Sequence, residues 1–84
     1  MTTNELKMTR EGDSSYRITD GRLTVTLSKS WTRTEGHGWY VALVRDLGTP
    51  NYRRLAGGFR KTKRDAAPLA ASIWAGRASY DKAP

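Results

Sequence analysis

Six basic residues, Arg53, Arg54, Arg60, Lys61, Lys63 and Arg64, stand between Tyr52 and Arg64 with no acidic residue among them. Cations at this density suit the neutralisation of phosphates, and arginine's planar fork can also hold two acceptors of a phosphate or a guanine edge. A second set follows from strand alternation. If Leu23, Val25, Leu27 and Leu55 face a core, then Arg22, Thr24, Thr26, Tyr52 and Arg54 turn to the opposite side of the sheet. That side mixes cations, hydroxyls and an aromatic ring, which are the groups strand-reading proteins use on phosphates and base edges in a major groove. Arg33, beside Lys29, Trp31 and His37, offers a further backbone contact, with Trp31 expected to fold back as a lid on the core. The plain alternative for the six cations is a solvated loop and strand edge, and for the sheet side a solvent face rich in β-favouring Thr and Tyr.

Catalysis finds little to build on. His37 is the only histidine and lies between two glycines, so a nucleophile–base–carboxylate set would hang on one imidazole that nothing holds rigidly. One His with scattered carboxylates is a poor metal site, and with no cysteine there are no disulfides, thiolates or Cys-bound metals. Gly36-His37-Gly38 and Gly57-Gly58 lack the strand-to-helix setting of phosphate-cradling loops. The sequence therefore predicts a non-enzymatic protein without metal or cofactor.

Lys and Arg number 15 against 8 Asp and Glu, a formal charge of +7 on 84 residues, so the expected partner is a polyanion. Double-stranded DNA leads. Duplex RNA and an acidic protein surface stay open; the last would make the chain a small inhibitor or adaptor, because an Arg-rich patch with Tyr also suits a protein interface. The first 20 residues carry no signal-peptide core and the longest apolar stretch, Trp39 to Val44, is too short to span a bilayer. The expectation is a cytoplasmic protein with no membrane contact.

Positioning these residues requires a single small domain, expected over residues 15–78, with a flexible arm at 1–14 and a flexible tail at 79–84. Tyr16 and Ile18, then Leu23, Val25 and Leu27, alternate with polar residues around Asp20-Gly21, which reads as a hairpin. Residues 29–38 are polar with two glycines and read as a connecting loop. Trp39 to Arg45 reads as the central strand, residues 46–51 as a turn, and Tyr52 to Phe59 as another strand. Ala66, Leu69, Ala70, Ile73, Trp74 and Arg77 have the spacing of an amphipathic helix. Thr62 with Asp65 resembles a capping box, but a helix starting there would carry Pro68 in its second turn, so Asp65 is expected as the N-cap. The predicted fold class is α+β: a three- to four-stranded antiparallel sheet packed against one C-terminal helix, in two layers.

The run GWYVALV, a turn, YRRLAGGF and then KTKRDAAPLAA resembles the amino-terminal arm-type DNA-binding domain of phage and transposon tyrosine integrases, over about residues 16–78. The resemblance implies a three-stranded sheet laid in the major groove with a helix behind it, and maps onto Phe59, Thr62, Lys63, Arg64 and Ala66. With no catalytic integrase domain following, it implies an accessory or regulatory protein of a mobile element. TKRDAAPLAA is also similar to the second-helix start of double-stranded-RNA-binding domains, where a Lys-Lys-x-Ala run touches phosphates. The amino-terminal helix of that family has no counterpart before Tyr16.

Overall fold

Alternating Leu23, Val25 and Leu27 with Thr24, Thr26 and Ser28 puts one apolar and one hydroxyl-bearing row on a single strand, and every neighbouring strand is registered to it. In the computed structural model, residues 8–12 and 14–81 are described. The strands are β1 (Thr9–Gly12), β2 (Ser15–Thr19), β3 (Leu23–Thr32), β4 (Gly36–Arg45) and β5 (Arg53–Arg60), followed by α1 (Lys63–Ala75) and the short α2 (Arg77–Tyr80). They form one antiparallel sheet in the order of the sequence, with α1 across one face. The α+β class and two-layer architecture hold.

The sheet has five strands, one more than the sequence suggested at most, and two of the expected strands are longer. Thr9–Gly12, inside the segment expected to be a flexible arm, pairs with β2 as an edge strand; residues 1–7 lie outside the described residues. The stretch read as a loop, residues 29–38, is a continuation of β3 and β4: Lys29 pairs with Trp39, Ser30 with Gly38, Trp31 with His37 and Thr32 with Gly36. Only residues 33–35 turn. Gly36 takes φ +76°, the left-handed conformation that closes a three-residue hairpin loop, and the Glu35 N–H donates to Thr32 Oγ1 at 2.9 Å. The first two residues of the expected tail, Ser79 and Tyr80, end α2, and its residues 82–84 lie outside the described ones.

The core lies between sheet and helix. Val25, Val41 and Leu43 are fully enclosed, with Leu23 and Leu27 beside them, and α1 contributes Ala66, Ala70 and Ile73 at helical spacing. Tyr16, Ile18, Trp39, Leu69 and Trp74 close its margins. The helix begins one turn earlier than expected. Thr62 is the N-cap and its Oγ1 accepts the Asp65 N–H at 3.1 Å, leaving Pro68 inside the helix. Pro68 is tolerated because it is exposed: the Arg64 carbonyl that loses its partner lies near the start of the helix, where water reaches it.

Where α1 ends, side chains clasp helix to sheet. Arg45 donates to Asp81 Oδ1 at 2.9 Å, with the two side chains only 14% and 12% exposed, and Arg22 lies 3.5 Å from Asp81 Oδ2. Asp20 Oδ1 accepts the Leu23 and Arg22 N–H groups at 2.8 and 3.0 Å, and Oδ2 accepts Arg77 Nε at 3.0 Å. The Leu23 N–H, and then Arg77, hold the Asp20 carboxyl below the usual carboxylate range.

Candidate nucleic-acid interface

The six clustered cations separate once the chain folds. Arg53 opposes Arg45 at the clasp end of the sheet. Arg54, next to the register shift in β5, reaches Tyr40: its guanidinium donates to Tyr40 Oη and lies 5.9 Å from the ring centre. Arg60, Lys61, Lys63 and Arg64 gather at the other end, where α1 starts and the β3–β4 hairpin turns back. Arg60 donates to the Phe59 carbonyl at 2.8 Å, and Lys61 Nζ braces the hairpin by donating to the Glu35 carbonyl at 2.6 Å. Lys63 Nζ sits 3.9 Å from the Tyr16 ring centre and 5.9 Å from that of Trp39. A hydrogen bond from this ammonium, reinforced by its charge and that of Arg10, keeps the Tyr16 phenol below its ordinary value despite some desolvation. Arg64 is exposed on the first turn of α1.

The face of the sheet away from α1 carries a different set from the one alternation suggested. Thr26 is there, half-buried, and so is Arg54. Thr24 shares the face but is 4% exposed, its hydroxyl donating to Thr19 Oγ1 at 3.0 Å, so it is closed to a partner. Arg22 precedes β3 and is held at the clasp by Asp81. Tyr52 precedes β5 and borders a shallow hollow with Pro50, Asn51, Arg22 and Arg45. The alternation argument failed for Arg22 and Tyr52 because neither belongs to the strand it was assigned to.

Two rings lie on this face, one of them named above only through the integrase resemblance. Tyr40 and Phe59 are cross-strand partners, and each leans over a glycine of the neighbouring strand. A Cβ at Gly57 would lie 2.6 Å from Tyr40 Oη and 3.0 Å from the Val41 carbonyl, and one at Gly38 would collide with the Phe59 ring. The glycines let both rings lie flat on the sheet. The signal was present in Gly38-x-Tyr40 and Gly57-x-Phe59, a matched pair on strands that face each other.

The β3–β4 hairpin adds the rest. Its last three pairs, beyond Lys29 and Trp39, extend past the strand ladders of β2 and β5, so it projects as a two-stranded ribbon. Trp31 is 59% exposed and forms no lid on the core, contrary to expectation, because its register position lies beyond the start of α1. Arg33 is exposed in the turn, and His37 is exposed opposite Trp31.

The two ends of the domain differ in how charge is balanced. At the clasp end, Arg22, Arg45 and Arg77 are met by Asp20, Asp46 and Asp81. At the hairpin end none of Lys29, Arg33, Arg60, Lys61, Lys63 and Arg64 forms an ion pair with a described carboxylate.

No protein-family model, curated protein or solved structure matches the chain. Function must therefore be argued from this geometry. Among the described residues no group of three or more His, Cys, Asp or Glu side chains could hold a metal ion, and no helix is long and apolar enough to cross a membrane.

Proposed function

We propose that this chain is a small non-enzymatic nucleic-acid-binding domain whose partner is double-stranded DNA, gripped at the hairpin end. The observation that carries the reading is the set of six cations there without a partner among the described carboxylates, beside a clasp end whose arginines are mostly neutralised in place. Cations held apart from counter-charges within the chain are free to displace the condensed counterions of a polyanion. Shape supports the same end. Five strands about 4.8 Å apart span about 19 Å between the outer backbones, wider than a major groove of about 12 Å, whereas the two-stranded ribbon fits. The ribbon would enter the groove, with Arg60, Lys61, Lys63 and Arg64 reaching phosphates on its flank and Arg54 with Thr26 available on the open face. The resemblance of YRRLAGGF and KTKRDAAPLAA to integrase arm-type domains supports a role beside a phage or mobile element.

A shift titration of duplex DNA at several salt concentrations tests this. Six phosphate contacts give a slope of log affinity against log salt of about −5. A matched RNA duplex should compete weakly, since the deep, narrow major groove of A-form RNA does not admit the ribbon. If no duplex binds at low ionic strength, the reading fails; a protein captured stoichiometrically after nuclease treatment would then point to an adaptor.

A further inference from the structure

The ribbon tip carries two rings that neither the fold nor phosphate contact requires. Trp31 and His37 are partners in the β3–β4 register, so both side chains leave the same face of the ribbon, with Cβ atoms about 5 Å apart. Trp31 contributes nothing to the core and keeps 59% of its surface in water. An apolar ring left this exposed lowers its free energy only when something covers it. What surrounds it narrows the choice of partner: Lys29 emerges two positions back on the same face, Arg33 follows in the turn, and Lys61 braces that turn through the Glu35 carbonyl. Glu35 is the one carboxylate in the turn. Exposed rings among cations are the combination that binds nucleic-acid strands through base stacking and phosphate neutralisation together. An apolar peptide would answer the rings and leave the cations unmet.

A continuous duplex offers no base face to such a pair, because every base is already covered above and below. We propose that Trp31 and His37 form a platform on which one unpaired base stacks, so that the domain binds duplex DNA carrying an extrahelical nucleotide in preference to uninterrupted duplex. This rests on the duplex-DNA reading above and specifies the form of DNA it selects. The flanking phosphates of the displaced nucleotide meet Lys29, Arg33 and Lys61, while the ribbon lies in the adjoining groove.

Three labelled duplexes of one sequence separate the possibilities by fluorescence anisotropy: continuous, with one extra nucleotide in one strand, and with an abasic residue in place of that nucleotide. The bulged duplex should bind about tenfold tighter than the other two, the scale of one base–aromatic stack. Trp31→Ala should remove the preference while leaving the salt slope unchanged, and Trp31→Phe should keep most of it. Circular dichroism of each variant should match the parent, since Trp31 lies outside the core. Equal binding of bulged and abasic duplexes, or a preference that survives Trp31→Ala, overturns this proposal alone. Failure to bind all three overturns the duplex reading and this proposal with it.

Discussion

Tyr16 and Lys63 show how a surface cation can be held by the fold and still face solvent. The Lys63 ammonium lies over the Tyr16 ring, itself 6.4 Å from the Trp39 ring at an interplanar angle of 41°, so it ties the start of α1 to β2 and β4. The same charge stabilises the Tyr16 phenolate, so the phenol releases its proton at lower pH than an ordinary tyrosine. Lys63→Met removes that stabilisation, and Tyr16 should then titrate near the usual value of about 10. A tyrosine absorbance titration of parent and variant checks the direction. A phosphate that draws Lys63 away should move Tyr16 the same way, so DNA binding and the phenol's proton become coupled. None of this was legible in the sequence, where Tyr16 and Lys63 are remote from each other and no periodicity links them.

At the level of elements, the alternation of Leu23, Val25 and Leu27 and the apolar run from Trp39 fixed the central strands, and Ala66, Ala70 and Ile73 fixed the buried side of the helix. The length of the β3–β4 hairpin is hidden in the sequence because its glycines and polar residues outweigh a period-two pattern that continues: Ser28, Ser30 and Thr32 alternate with Lys29 and Trp31. The helix start is not legible in the sequence because Pro68 reads as an internal breaker until the fold supplies its exposure. The cap can be tested directly. Thr62→Ala should cost about 1 kcal/mol in denaturant unfolding through loss of the bond to the Asp65 N–H. Pro68→Ala should stabilise by about 1–3 kcal/mol, since it restores the donor to the Arg64 carbonyl and relieves the ring clash. Were Asp65 the true cap, Thr62→Ala would be silent.

For the whole molecule, the distribution of charge matters more than its total. Composition alone gave a positive chain, and the run from Arg53 to Arg64 looked like one patch. Folding sends Arg53 to the clasp and Arg60 and Arg64 to the hairpin end, while Asp81, far along the chain, comes back to hold Arg22 and Arg45. Replacing Arg60 and Arg64 together with Ala should therefore lower duplex affinity and flatten the salt slope by about 2, one unit for each lost phosphate contact. Removing Arg53 subtracts the same kind of charge at the clasp end and should leave the slope close to the parent's. Equal effects from the two ends would mean that net charge, and no particular surface, governs binding.

Among the described residues the meander also leaves β5 paired with a single neighbour, so one row of its amides and carbonyls faces no described strand. A margin of this kind invites a second copy to add on and propagate into aggregates. Here the register shift opposite Val44 and the guanidiniums of Arg53, Arg54 and Arg60 roughen and charge that border. Concentrated protein should thus stay dispersed, guarded against self-templating by the like charges along that border.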